Sequence, residues 1–169
     1  GKEFIRDCLK WARVLNVAAR DFGECALDED NARVYALEFE SGKRIVALSS
    51  NPTGFRGRGG MVILDEFAAH ERADELWTAA RPAITWGYPL RIISTHNGQK
   101  CRFYQMVEEA RRPDSPWSLH TVTIFDAVRQ GLADRIIGRS LTDDERAAWI
   151  EDQRVICSDD ETWRQEYCS

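Results

Sequence analysis

The chain has 169 residues, of which 43% are hydrophobic and 30% charged, and its formal net charge is −5. This length and composition predict a folded domain with a substantial core and exclude a disordered chain. The negative charge excludes a basic surface over the whole molecule, so a DNA contact would have to come from local features. No apolar run approaches the ~20 residues of a membrane span, and the N-terminal residues show no signal-peptide pattern, so we expect a cytosolic protein with no membrane partner.

The first third of the chain predicts a helix and then a β-hairpin. Apolar residues recur at helical spacing over residues 3–15. Residues 34–39 and 44–49 read as two strands joined by the turn Glu-Ser-Gly-Lys at 40–43. A loop rich in Gly and Arg follows at 51–60.

The rest of the chain alternates between strand and helix patterns. Short continuous apolar runs are typical of strands buried on both faces of a parallel sheet. This alternation predicts an α/β fold with a mostly parallel sheet flanked by helices, and ligands in such folds bind beyond the carboxyl ends of the strands. The predicted strands are 61–64, 90–94 and 117–125, and the predicted helices are 68–80, 99–112, one beginning within 126–130, 142–153 and 159–167.

Two adjacent acids follow the apolar run at 61–64. In nucleoside triphosphatases this arrangement, called Walker B, places both carboxylates at the open end of a buried strand. Asp65 would hold Mg²⁺, which prefers oxygen ligands, and Glu66 would deprotonate the attacking water. An acid pair after a strand also serves to cap the next helix, whose dipole favours negative charge there. The pair alone does not decide between these two interpretations.

A polar turn, Thr-His-Asn-Gly at 95–98, ends the strand predicted at 90–94. The hydroxyls of Ser94 and Thr95 and the amide of Asn97 would face the same crevice as the acid pair, where a motor ATPase senses the γ-phosphate. Asn-Gly is also ordinary turn chemistry between a strand and a helix.

The loop at 51–60 places two arginines between glycines. Arg56 and Arg58 suit bidentate phosphate contact and the stabilisation of developing charge, and a solvated basic loop is the ordinary alternative. The glycines of this loop do not form the GxxxxGK[ST] pattern of a phosphate-binding loop. The dipeptide Gly1-Lys2 is followed by Glu3, where such a loop has Ser or Thr for Mg²⁺.

Cysteine, histidine and tryptophan residues indicate structural roles. The five cysteines are scattered without metal-binding spacing, so we expect reduced thiols. His70, His96 and His120 lack metal-ligand spacing, and of these we expect His96 to line the crevice. The six tryptophans are predicted to lie in the core or at contacts between subdomains.

Considered together, these segments resemble the large terminase subunit of tailed phages, particularly the Mu-like phages and prophages. The similarity covers nearly the whole chain in the right order. Each motif by itself is weak or moderate, but their order is specific. The matching stretches are Glu3–Cys8 with Trp11 and Ala12, Ala47–Pro52, Phe55–Gly60, Val62–Ala68, Ser94–Gly98, Thr121–Ile124, Asp126–Val128 with Gly131 and Leu132, and Thr162–Tyr167.

The resemblance implies an ATPase site with Mg²⁺ and ATP as its cofactors. The implied fold is a partial P-loop NTPase, RecA-like and of the additional-strand, catalytic-glutamate type. Its site residues would be Asp65 for Mg²⁺, Glu66 as the catalytic carboxylate, Arg56 and Arg58 facing phosphate, and Ser94, Thr95 and Asn97 as the coupling motif.

The same resemblance implies an organisation in which residues 1–140 form the central and C-terminal part of the ATPase domain. Residues 141–169 would be a helical segment leading toward an RNase H-like nuclease. The 169 residues contain neither the phosphate-binding loop nor the nuclease, so we expect them not to hydrolyse ATP by themselves. An incomplete sheet should also expose apolar surface and an unpaired strand edge, which favours self-association.

The implied partners are double-stranded phage DNA, the terminase small subunit, the portal protein and further copies in a ring, within the cytoplasm of the bacterial host. Two alternatives remain open at this point. One is a helicase-like DNA-dependent ATPase, and the other is a non-catalytic prophage remnant. The context of residues 50–60 before Asp65 favours the terminase over the helicase, and the intact motifs argue against long decay.

Overall fold

A computed structural model describes residues 1–17, 19–26, 33–48, 54 and 59–168. The chain divides into two compact units, Gly1–Leu64 with His70–Arg91, and Asp65–Ala69 with Ile92–Ser169. No helix within the described ranges is long and apolar enough to cross a membrane. The elements are α1 Lys2–Val14, β1 Ala19–Ala26, β2 Arg33–Phe39, β3 Arg44–Leu48, β4 Val62–Asp65, a 3₁₀ helix Phe67–Ala69, α2 Ala73–Ala80, α3 Pro82–Thr85, β5 Leu90–Ile93, α4 Arg102–Ala110, α5 Ile124–Arg129, α6 Leu132–Ile137, α7 Asp143–Cys157 and α8 Asp160–Tyr167.

A three-stranded antiparallel sheet and helix α1 form much of the first unit. Strand β2 lies between β1 and β3, and its Leu37 pairs with Ile45 of β3. Helix α1 packs on this sheet with Ile5 and Ala12 buried. The predicted helix and hairpin are therefore confirmed. Strand β1 was not predicted because its sequence is polar and contains Gly23, where the pairing with β2 is irregular.

A second, smaller sheet pairs β4 with β5 in parallel. The Val62 N–H donates to the Pro89 carbonyl at 3.1 Å. The connection between the strands runs through the 3₁₀ helix, α2 and α3, as a parallel pair requires. The predicted α/β class is confirmed, but the prediction of a mostly parallel sheet is wrong, because β1, β2 and β3 pair antiparallel.

The strands β4 and β5 are not buried on both faces. Leu64 is buried, whereas Ile63 is 42% exposed and Ile93 is 56% exposed. A continuous apolar run predicts double burial only where the neighbouring elements that cover the second face are present. The expectation of exposed apolar surface at this sheet is confirmed, and self-association remains a prediction.

The helices predicted after each of these strands are shorter than expected. The first prediction, 68–80, divides into the 3₁₀ helix and α2, and Pro82 then opens α3. Proline suits that position because the first turn of a helix does not use its missing N–H. The second prediction, 99–112, is α4 at Arg102–Ala110.

The strand predicted at 117–125 is wrong, because α5 begins at Ile124. The Thr123 hydroxyl accepts from the Asp126 N–H at 3.2 Å, and the Asp126 carboxylate accepts from the Thr123 N–H at 3.1 Å. This reciprocal capping box satisfies two backbone donors at a helix start. It outweighs the strand preference of the β-branched residues around it.

Helices α5, α6, α7 and α8 of the second unit share one apolar cluster. The largest of its buried members is Trp163 of α8, which is 6% exposed and stacks on Tyr167 with ring centroids 4.9 Å apart. The two predicted tail helices are confirmed, while α6 was not predicted separately. The cluster consists of Ile124, Val128, Ala133, Leu141 and Trp163, with Trp149, Ile150, Cys157 and Cys168 partly buried against it.

Helix α7 starts with a second capping box, between Thr142 and Glu145. Hydrogen bonds from Arg139 and from the Thr142 backbone lower the pKa of Glu145 to about 2. The same helix carries Arg146, which donates from Nε and Nη2 to the two oxygens of Asp134 at 2.9 and 2.8 Å. The Leu141 N–H also donates to Asp134 at 2.9 Å, so this carboxylate ties α6 to the start of α7.

The Asp134 carboxylate should stabilise the fold in a pH-dependent way. The Arg146 guanidinium and the Leu141 N–H hold the pKa of Asp134 below its usual range. A carboxyl whose pKa is lower in the folded state stabilises the fold above its unfolded pKa of about 3.9, and the stabilisation is lost as the pH falls through the folded pKa. We expect Asp134→Asn to lower the melting temperature by several degrees at pH 7, and we expect this difference to narrow below about pH 4.

A matched control for Asp134 is Asp143→Asn, because Asp143 also bonds Arg146, at 2.9 Å, but its side chain is 98% exposed. An exposed ion pair contributes little, so this variant should change the melting temperature less at pH 7. Equal decreases in melting temperature for the two variants would contradict the stabilising role of the Asp134 carboxylate. A decrease for Asp134→Asn that does not depend on pH would contradict it as well.

The tryptophan and cysteine predictions have mixed outcomes. The prediction that tryptophans lie in the core or at subdomain contacts holds for Trp163 as a core residue, but a core position is wrong for Trp11 and Trp86, which are 60% and 80% exposed. Burial raises the pKa of the Cys8 thiol. Unpaired thiols are confirmed for the cysteines whose side chains are described, namely Cys8, Cys101, Cys157 and Cys168.

Candidate active site

The carboxyl ends of β4 and β5 carry the acid pair and the polar turn. Asp65 is the last residue of β4, and Glu66 follows it; both are exposed. Strand β5 ends at Ile93, directly before Ser94. Because the carboxyl ends of parallel strands meet at one edge of a sheet, the two polar segments lie on the same edge.

Glu66 has a left-handed backbone, with a φ of 51°. A residue other than glycine in this conformation carries strain of about 1–3 kcal/mol, and such strain concentrates at functional sites. The next residue, Phe67, is fully buried and opens the 3₁₀ helix. The Ala69 N–H donates to the Glu66 carbonyl at 3.0 Å, which closes this turn.

Ser94 and Asn97 both contact the backbone of Ala68. The Ser94 hydroxyl accepts from the Ala68 N–H at 2.9 Å. The Asn97 side-chain amide donates to the Ala68 carbonyl at 3.2 Å. The polar turn after β5 is thereby bonded to the segment that carries the acid pair. Because both the N–H and the carbonyl of Ala68 are hydrogen-bonded to side chains, the backbone of Ala68 is held in place.

The rest of the polar turn faces aromatic rings and a groove. The His96 ring lies 5.4 Å from the ring centroid of Phe103 and 6.1 Å from that of Tyr104, and Thr95 is half-buried. The groove has a volume of about 460 Å³ and is lined by His96, Gly98, Tyr104, Arg111 and Arg164, among others. His96 therefore lines a groove of the second unit, but the residues that line this groove do not include Asp65 or Glu66, so the position of His96 in a nucleotide crevice remains a prediction.

The helix-capping interpretation of the acid pair is wrong for α2. That helix begins at Ala73, and its N-cap residue is Arg72 rather than Asp65 or Glu66. The acids precede a single turn of 3₁₀ helix instead.

The predicted site residues divide into two groups. The structure brings Asp65, Glu66, Ser94 and Asn97 to one edge, with Thr95 between the last two. Arg56 and Arg58 lie outside the described residues, as does most of the loop at 51–60. The roles of all these residues remain predictions.

Metal-binding clusters are absent from the part of the chain that the structure describes, where no three His, Cys, Asp or Glu residues could hold an ion together. The strand edge offers the Asp65 carboxylate, and Mg²⁺ commonly takes only one or two protein carboxylates. The donor chemistry therefore fits Mg²⁺ with waters and substrate phosphates in the other positions.

The sequence did not reveal the structural roles of Ala68 and Phe67. Ala68 is bonded to the polar turn through its backbone, and Phe67 is buried directly after the acid pair. A backbone partner leaves no signature in residue type, since any residue presents the same N–H and carbonyl. Phe67 directly after the two acids was the available signal for an anchored turn.

Comparison with known families gives one match that covers most of the chain. The family model described as "Terminase large subunit, T4likevirus-type, N-terminal" matches residues 15–164.

Two curated relatives are similar in sequence. The "Mu-like prophage FluMu protein gp28" of Haemophilus influenzae is 37% identical over 173 residues, which cover 99% of this chain and 34% of that protein. The "Probable terminase, large subunit gp28" of Escherichia phage Mu is 41% identical over 140 residues, which cover 79% of this chain and 25% of that protein. The chain thus spans about a third or less of each relative's length. No solved structure matches the chain.

Proposed function

This chain belongs to the terminase large-subunit family, and we propose that it forms the central part of an ATP-hydrolysing motor that packages phage DNA. The observation that carries the proposal is the meeting of the acid pair and the polar turn at one strand edge. Such an edge is where α/β proteins bind ligands. The family match also favours the terminase over the helicase-like alternative.

The proposed fold of the intact domain is a P-loop NTPase of the additional-strand, catalytic-glutamate type. The parallel pair β4–β5 and its helical crossover support this proposal, because such domains are built from that unit. The half-exposed Ile63 and Ile93 also support it, since further strands and helices would cover them.

Each site residue has a proposed role. Asp65 would hold Mg²⁺, which when bound neutralises charge on the phosphates of ATP. Glu66 would act as general base, and the exposed carboxylate next to the strand end suits that role. Ser94, Thr95 and Asn97 would form the coupling motif, and Arg56 and Arg58 would contact phosphate.

The proposed chemistry is hydrolysis of the terminal phosphoanhydride of ATP. Water attacks the γ-phosphorus while the Glu66 carboxylate takes its proton. The bond between the γ-phosphorus and the bridging oxygen breaks, and ADP and inorganic phosphate leave. This proton transfer is typically worth about 10²–10⁴-fold in rate, and the rest of the acceleration comes from positioning and electrostatics.

The proposed partners are double-stranded phage DNA, the terminase small subunit, the portal protein and further copies of the motor in a ring. The proposed location is the cytoplasm of the bacterial host. These proposals are supported by the membership of the chain in the terminase large-subunit family and by its similarity to a relative named as a probable terminase.

The proposal is tested by the Mg²⁺ dependence of ATP hydrolysis by the intact protein that contains these residues. We expect Asp65→Asn to raise the Mg²⁺ concentration for half-maximal activity by at least about tenfold, because one charged ligand becomes neutral. The control Asp144→Asn removes an exposed acid at the start of α7 and should leave the Mg²⁺ requirement unchanged.

Two outcomes would contradict the proposal. An unchanged Mg²⁺ requirement in Asp65→Asn would remove Asp65 from the metal site. Intact wild-type protein that neither hydrolyses ATP nor packages DNA would favour the prophage remnant.

A further inference from the structure

We propose that Ser94 and Asn97 are positioning residues, which hold the Glu66 carboxylate in place through the backbone of Ala68. This inference rests on the proposed function insofar as it assigns catalysis to Glu66. The hydrogen bonds that carry it are independent of that function. It gives the polar turn a role within the protein that does not require contact with nucleotide.

Glu66 has an unusual backbone conformation. Its φ of 51° is one that residues with a side chain seldom adopt. A strained conformation persists only where the surrounding structure over-determines it. Something beyond the local sequence must therefore hold Glu66.

Buried residues lie on both sides of Glu66 along the chain. On one side the chain enters from β4, whose Leu64 is 3% exposed. On the other side Phe67 is fully buried, and Ala68 is 7% exposed and bonded at both its N–H and its carbonyl. Ala68 has an apolar side chain, so Ser94 and Asn97 fix it only through its peptide groups.

The side chains of Ser94 and Asn97 can each make more than one hydrogen bond. A hydroxyl can accept one hydrogen bond and donate another, and a side-chain amide has two N–H donors. Ser94 uses acceptor capacity for Ala68, and Asn97 uses one donor. Both can therefore hold Ala68 and still contact a further oxygen. The pair thus links the two strand ends without giving up its capacity to bind phosphate.

The consequence for catalysis is geometric. A general base must lie within hydrogen-bond reach of the water that it deprotonates, and misplacement by 1 Å can cost about 10²-fold in rate. Loss of either hydrogen bond would allow Ala68 to move and Glu66 to leave its left-handed conformation. The KM for ATP should change little if the two side chains act through Ala68, because the hydrogen bonds that are lost are bonds to its backbone.

The experiment compares Ser94→Ala and Ser94→Thr in the intact protein, with hydrogen–deuterium exchange at the Ala68 amide and ATP hydrolysis as separate readouts. We expect Ser94→Ala to speed exchange at Ala68 at least about tenfold, because its N–H loses its acceptor. We expect kcat to fall at least about tenfold with the KM for ATP nearly constant. Ser94→Thr keeps the hydroxyl, so the exchange rate at Ala68 and kcat should both stay close to the wild-type values.

Two further variants make the test specific. Asn97→Asp is nearly the same size but lacks the N–H that donates to Ala68, so it should reproduce the loss of kcat even if Ser94→Ala folds poorly. Thr78→Ala removes an exposed hydroxyl that donates to the Asp74 carbonyl within α2, and it should change neither readout.

The readouts separate this inference from the proposed function. Faster exchange at Ala68 with unchanged kcat would overturn the positioning role. Loss of kcat with unchanged exchange would also overturn it and would indicate direct contact with phosphate. If wild-type protein shows no ATP hydrolysis but Ala68 exchange responds as expected, the hydrogen bonds stand and the proposed function of Glu66 fails.

Discussion

Glu66→Gln in the intact protein should lower kcat for ATP hydrolysis by about 10²–10⁴-fold, with little change in the KM for ATP. The amide has the size of the carboxylate but cannot take a proton from water. Glu66 is exposed at the end of β4, and the buried Phe67 that follows it should still anchor the turn. The measurement is phosphate release at saturating ATP, Mg²⁺ and DNA.

The control for Glu66 is Glu71→Gln, because Glu71 is an exposed acid a few residues further along the same stretch. It should leave kcat unchanged. An equal loss in both variants would show that the reaction depends on surface charge and not on proton transfer. Full activity in Glu66→Gln would exclude Glu66 as the general base.

Trp163→Ala should destabilise the chain by about 3–5 kcal/mol, the usual cost of emptying a large buried site. Trp163 is 6% exposed, lies in the cluster shared by α5, α6, α7 and α8, and stacks on Tyr167. Urea unfolding followed by circular dichroism at 222 nm measures the change as a lower midpoint with an unchanged slope.

The control for Trp163 is Trp86→Ala, which removes the same side chain from a site that is 80% exposed. Its effect should stay within about 0.5 kcal/mol, as for most surface substitutions. Similar losses of unfolding free energy for the two variants would mean that the burial of Trp163 in the cluster does not account for its effect.

The parts of the fold that could be predicted are those that depend on nearby residues. The helix predicted at 142–153 agrees with α7 within a few residues, and the start of α7 depends on the local pair Thr142 and Glu145. The strand at 117–125 failed for the opposite reason. Its β-branched residues suggest a strand, but Asp126 closes a capping box on Thr123 and starts α5.

The side chains of the candidate site could be predicted from the sequence. Acids and hydroxyls directly after two apolar runs placed Asp65, Glu66 and Ser94 at neighbouring strand ends, which the parallel pairing supports. Their connection could not be predicted. It depends on the Ala68 peptide and on the left-handed backbone of Glu66, and neither has a signature in residue type.

The two capping boxes determine how α5 and α7 should respond to a deletion elsewhere in the chain. Each box is closed by residues three positions apart, so four consecutive residues determine where each of α5 and α7 begins. The β4–β5 pairing instead requires residues 66–89 to close on themselves, which costs chain entropy. A short in-frame deletion within residues 66–89 would therefore be expected to disrupt the β4–β5 pairing and to leave both capping boxes intact.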